Sequence, residues 1–282
     1  MQEAIDQLID VCRFLPNFLD KGTWKPARPL EDLVLRTLAR GRATYETIVN
    51  LVETGATLQA AMLGRSLFED MVVAHWLVLH EEDPDWLVQR FYDHRDAMRL
   101  HDATMREQVN FLPSGDDVSD LVGRENALRR EFGKYAERDW WGRDREGGKV
   151  SMSEVVRRLA ADPRFQPRLQ GEEPVLEQYY ALQHKAWTQA LHHTAAGMQV
   201  HASDGGRFPV AVGPSPVLLL FGNYWVFGQL IFVALELAAP NTAFSYFEKL
   251  FLSGLAVFGE VFDLPVPWAD KVAEWAEEVT EK

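Results

Sequence analysis

Arg65 and Glu69 stand four residues apart in Leu63-Gly64-Arg65-Ser66-Leu67-Phe68-Glu69, the spacing at which a guanidinium and a carboxylate meet on one face of a helix. Further along, His94 and His101 stand seven apart, which returns a helix to nearly the same angle. A third row, Glu177, Ala181, His184, Thr188, His192, Ala195 and Gln199, keeps helical spacing throughout. Arginine can hold an anionic group bidentately, and imidazole can donate, accept or pass on a proton near neutral pH. Arg65, Glu69, His94, Thr188 and His192, with His101 beside them, are therefore the candidates for a polar pocket that takes a small anionic ligand.

Two of these sets lie on stripes that periodicity assigns to the core. Leu58, Met62, Val72, Trp76 and Leu79 set a four-three stripe that passes through Arg65 and Glu69. Leu87, Phe91, Met98 and Met105 set another, with His94 and His101 in its remaining positions. Pro84 and the short connection predict an antiparallel hairpin between the two helices, with Arg65 level with His101 and Glu69 level with Ala97 or Met98. The same groups also suit a mutually hydrogen-bonded network that only fixes helix register.

Other chemistry is missing from the chain. It has no G-x-x-x-x-G-K-[ST] loop, no H-E-x-x-H, no G-x-S-x-G and no paired E-x-x-H. His94, His101 and Asp102 do not have a recognised metal-ligand spacing, so no metal and no cofactor is expected. Cys12 is the single cysteine, which excludes an intramolecular disulfide and reads as a small buried hydrophobe between Ile9, Val11 and Phe14.

Helical periodicity runs through the chain and strict alternation hardly occurs, so the predicted fold is all-α, a bundle of about ten helices with no significant β-sheet. Helices are expected near 3–15, 30–54, 56–82, 84–110, 117–138, 151–161, 173–201, 217–239, 241–262 and 267–280, punctuated by Pro16, Pro29, Gly55, Pro84, Pro113, Pro163, Pro174, Pro240 and Pro267. Residues 1–282 are expected to form a single helical domain, with a core at 30–201 and a C-terminal layer at 217–280. Val217 to Leu235 is long enough to span a bilayer. Gly222 and Gly228 interrupt it and no basic residue flanks it closely, which predicts a central buried helix or a homodimer interface and no membrane span. Because Phe244 to Phe258 covers only one side of such a helix, a homodimer through residues 217–262 is expected.

The formal net charge of −13 excludes a general nucleic-acid binder and predicts no DNA partner. Residues 124–168 run the other way, with twelve Lys or Arg against eight Asp or Glu, and are the one stretch suited to a polyanion or to a solvated, ion-paired surface. The N-terminus lacks a basic n-region, and with a single cysteine this predicts a cytoplasmic protein.

The segment 63–69 resembles a bacterial helical domain-of-unknown-function family with an L-x-R-S-L-x-E helix. That family carries a later tryptophan, matched here by Trp140 or Trp141. It then has a tyrosine-rich helix ending in S-x-x-x-H and a small hydroxyl residue, matched by Tyr179-Tyr180, Thr188, His192 and Thr194. Thr188 replaces the usual Ser, and His193 departs from the small residue or proline common there. The resemblance covers about residues 30 to 200 and implies no activity. More distantly, Arg95-Asp96-Ala97-Met98-Arg99-Leu100-His101 is similar to the signature of HEPN domains, the RNA-cleaving modules of toxins and antiviral defence systems. That resemblance implies a metal-independent RNase with Arg95 and His101 as catalytic residues, His101 as general acid or base and Arg95 stabilising the phosphorane-like charge. Six positions on a straight helix leave these side chains roughly 120° apart, so a bend or a partner would have to unite them.

Overall fold

Pro29 sits in the first turn of a long helix, and Glu31 two residues later reaches back to accept hydrogen bonds from the backbone of Ala27 at 2.7 Å and Arg28 at 3.3 Å. Such local signals set the bounds of most elements in the computed structural model, which describes residues 2–22, 24–109, 118–162, 176, 180, 201–202, 210–211, 215–238 and 241–262. The protein is all-α. Among the described residues there are eight α-helices: α1 Gln2–Asp20, α2 Pro29–Glu53, α3 Thr57–Leu79, α4 Asp85–Val109, α5 Glu125–Phe132, α6 Met152–Ala160, α7 Pro216–Ala238 and α8 Asn241–Phe262. A 3-10 turn at Ser119–Leu121 precedes α5. The strands are two-residue stubs, His201–Ala202 and Val210–Ala211, paired antiparallel with His201 opposite Ala211.

The chain divides into two compact units, one made of Met1–Leu79 with Val156–Lys282, the other of His80–Val155. In the first, α2 and α3 pair and α7 packs against both, while α1 touches α2, α7 and α8. The apolar window Pro216–Leu237, with a mean hydropathy of 1.8, has the length and composition of a membrane span but is mostly buried among these helices. Trp225, Tyr224, Phe227, Leu230 and Ile231 are almost fully buried there. Each contributes roughly 1.5–3 kcal/mol relative to an exposed position. α1, α2, α3 and α8 all reach α7. At Gly228 the ring of Phe251 occupies the space a Cβ would take, so this α8 side chain packs directly on the α7 backbone.

Pro16 does not end α1 as predicted; the helix continues to Asp20. Proline lacks the N–H that would bond the carbonyl four residues earlier, that of Cys12. The buried hydroxyl of Tyr45 on α2 supplies the missing donor, at 3.1 Å from the Cys12 carbonyl oxygen. A partner from another helix thus repairs the break.

The second unit is built on α4 and α5 around Ala97, Leu100, Leu121, Leu128 and Phe132. The single helix predicted over 117–138 is instead the 3-10 turn followed by the short α5, which stops at Gly133 with φ of 88°. Segments 173–201 and 267–280 lie outside the described residues except at Leu176, Tyr180 and His201, and His201, expected to end a helix, stands in the first strand stub.

Candidate functional site

The first half of α3 buries Ala60, Ala61, Gly64, Leu67, Phe68 and Met71, and from Asp70 to Val78 every residue is buried. The core face therefore differs from the predicted stripe: Met62 is exposed, and Arg65 and Glu69 lie on the half-exposed flank. Small residues cause the difference. Ala60, Ala61 and Gly64 are buried, and at Gly64 a neighbouring helix comes too close for a larger side chain. Had Gly64 a Cβ, it would lie 2.9 Å from Oδ1 of Asn223 on α7.

Arg65 Nε donates to Glu69 Oε1 at 3.0 Å, and each side chain keeps about a third of its surface in water (32% and 34%). The i,i+4 pair is thus present but only partly buried. Beside it stands a pair not anticipated from spacing: Arg40 on α2 donates from Nη2 to Asp70 Oδ1 on α3. Asp70 is fully buried, whereas the Arg40 side chain is 68% exposed, so a guanidinium reaches in from the surface to an interior carboxylate. Partial burial lowers the Arg40 pKa from its ordinary value, and the negative charge of Glu69 acts in the opposite direction. Glu69 thus acts electrostatically on Arg40 as well as pairing with Arg65. Asp70 Oδ2 and Asn223 Oδ1 are buried without a hydrogen-bond partner among the described residues. Asn223 spends its amide on the Leu219 carbonyl at 2.8 Å.

Phe68, between Arg65 and Glu69 in sequence, meets the ring of Tyr180 at 6.2 Å between centroids. The tyrosine of the later helix is therefore brought to the L-x-R-S-L-x-E segment. Thr188 and His192, expected to complete the pocket, lie outside the described residues.

His94, Arg95 and His101 belong to α4 in the other unit. The predicted apolar stripe on this helix is also displaced, since Met98 and Met105 are exposed while Asp96, Ala97 and Leu100 are buried. His94 Nε2 lies 3.3 Å from the Ala136 carbonyl oxygen and must carry the proton, because a carbonyl only accepts. Its ring edge meets Phe132, and burial pushes the His94 pKa below 6.5, partly offset by that carbonyl. Arg95 donates to Asp96 at 3.2 Å and lies over the Tyr92 ring. His101 turns its edge to Tyr135, and its Nδ1 is buried without a partner among the described residues. The helix runs unbroken through Arg95 and His101, which hold separate partners.

Asp96, 6% exposed, also receives Arg124 at 3.0 Å and Arg99 at 3.8 Å. Arg124 bonds Asp93 too, and that bond raises its pKa. In the basic stretch Arg129 pairs with Glu125, Arg143 with Glu131 and Arg145 with Asp83, so much of its charge is neutralised locally. No group of three or more His, Cys, Asp or Glu suited to a metal ion occurs among the described residues. No curated protein and no solved structure matches the chain. One family model does, over residues 31–208: a family of unknown function (DUF5677).

Proposed function

Since the chain belongs to DUF5677, whose function is unknown, we propose from the site that it is a helical binding module holding a small anionic ligand at Arg40 and Arg65. The observation that carries this is the double anchoring: two guanidiniums on adjacent helices, each bonded to one of the consecutive carboxylates Glu69 and Asp70. A guanidinium has five donors in a rigid fork, and a carboxylate that takes one of them fixes the direction of the rest. Arg40 is mostly exposed and Arg65 partly so, which leaves donors for a phosphate or carboxylate group. The two acids cancel the two arginines, so recognition rests on geometry rather than on net positive potential.

Full-length protein titrated with phosphate, pyrophosphate and citrate should show saturable stabilisation in thermal melts, about 2.7 kcal/mol at a hundredfold excess over Kd. Arg65→Gln should remove it while leaving the protein folded, because that side chain is partly solvated. An equal shift in Arg65→Gln, or none in the parent protein, would assign the cluster a purely structural role.

RNA cleavage by Arg95 and His101 is the second reading, favoured by the unbonded Nδ1 of His101. A ring nitrogen without a partner has no competing hydrogen bond, and this buried one would take part in proton transfer only after a local opening brings it to the RNA hydroxyl. Cleavage of single-stranded RNA in EDTA that disappears in His101→Ala supports it. The engagement of Arg95 by Asp96 and Tyr92 weighs against it.

A further inference from the structure

The outward stripe of α1 runs Glu3, Gln7, Asp10, Phe14, Asn17 and, just past the helix end, Lys21, all exposed and spaced to keep one side of a helix. Phe14 is 54% exposed there. A single apolar side chain at the surface needs no explanation, but a contiguous patch does. On α8, Tyr246 is 56% exposed, and Leu250 and Val257 continue its line half-buried. Phe18, one turn from Phe14, joins the two helices: its ring stacks on Tyr246 at 6.1 Å and tilts against Phe247 at 4.8 Å. At the other end a Cβ on Gly254 would sit 3.1 Å from Val11, so α1 and α8 lie side by side and antiparallel. Phe14, Phe18, Tyr246 and Leu250 thereby form one apolar patch facing water.

We propose that this face is an interface between two copies of the chain related by a two-fold axis. Its charges select a second copy over other partners. Glu3 and Asp10 lie on one side of Phe14, with Glu260 of α8 at the same end, while Lys21 and Lys249 lie on the Phe18 side. Among the described residues neither lysine has a carboxylate partner. Arg13, which reaches Asp10 at 3.5 Å, is held more closely by Glu53 at 2.8 Å. Turning a second copy half a circle about an axis through the patch sets its acidic end over these lysines, and its lysines over the acidic end. A partner of uniform charge would meet like charge at one end. The size of the face agrees. Helices of 19 and 22 residues packed about 9 Å apart present roughly 30 by 20 Å, on the order of 600 Å² per copy. That is somewhat less than the ~800 Å² per partner of a standard interface, which suits a dimer of micromolar affinity. Of the range 217–262, expected from sequence to hold a dimer contact, α8 supplies its outer face, and α1 stands in place of the buried α7.

Sedimentation velocity on the full chain from about 1 to 200 µM should show monomer passing to dimer, with weaker association at higher salt. Phe14→Glu and Tyr246→Glu, both at exposed positions, should each raise the dissociation constant at least about tenfold without loss of helical circular dichroism. Charge reversal tests the two-fold itself. A chain with Lys21→Glu and Lys249→Glu should self-associate more weakly than the parent, as should one with Glu3→Lys and Asp10→Lys. An equimolar mixture of the two should recover the dimer. The proposal is overturned by a parent protein that stays monomeric throughout, whether the face is bare or covered by residues 263–282 of the same chain. A dimer indifferent to both Phe14→Glu and Tyr246→Glu overturns it too, as does a mixture no more dimeric than its components.

Discussion

Asp70 is wholly buried, while its partner Arg40 keeps most of its side chain in water. Removing Asp70 releases a guanidinium to solvent; removing Arg40 strands a carboxylate in the interior. Arg40→Ala should therefore cost about 3–5 kcal/mol and Asp70→Asn about 1–2 kcal/mol in urea unfolding. Glu69→Gln, which breaks a half-exposed pair, should cost less than about 1 kcal/mol. Urea data in which Glu69→Gln is the costliest change would place the buried charge at the wrong pair. His94 offers a second measurement at this scale. Burial lowers its folded pKa below 6.5, so on acidification the unfolded chain takes up a proton that the folded chain refuses. Stability should fall as pH drops through about 6.5 towards the folded value, and His94→Gln should flatten that part of the profile. Thermal melts of the two proteins across this window check it. The Arg65–Glu69 pair was legible because both ends lie on one helix at a fixed spacing. The Arg40–Asp70 pair was not, because its register depends on how α2 and α3 meet, which a single chain's periodicity does not encode.

Among the elements, the repair at Pro16 carries the sharpest prediction. Tyr45→Phe leaves the Cys12 carbonyl without its donor and should cost about 1–3 kcal/mol. In a Pro16→Ala background the helix supplies its own N–H to that carbonyl, so the same change should cost clearly less, and a double-mutant cycle should show the coupling. Additive costs would mean that the hydroxyl serves another purpose. Helix bounds followed from proline, glycine and capping signals at α2, α3, α7 and α8 to within a few residues. The failures have physical causes. Pro16 was tolerated because another helix supplied the hydrogen bond, and α5 was cut short by Gly133 despite a continuous run of helix-forming residues. On α3 the inward face was misassigned because Ala60, Ala61 and Gly64 count as weak hydrophobes in a periodicity argument. In the fold all three are buried, and Gly64 lies where Asn223 of α7 comes close.

At the scale of the molecule, the matched family region and the packed unit have different limits. Residues 31–208 contain α2 without its first two residues and all of α3, but not α1, α7 or α8, whose side chains complete the core around them. A fragment of 31–208 keeps the whole His80–Val155 unit, so the test is read at α2 and α3, whose NMR signals should be undispersed in the fragment and dispersed in the full chain. Dispersed α2 and α3 signals in the fragment would show that this pair is sufficient without α7. This dependence also fixes an order of events during translation. The ribosome releases the end of α3 at Leu79 long before the start of α7 at Pro216. At ordinary elongation rates the interval is on the order of ten seconds. Throughout it, the α3 surface around Gly64 and Leu67 that packs on α7 has no permanent partner, so the nascent chain is an obvious client for holding chaperones. Its yield in the cell should respond to their supply more than its final stability would suggest.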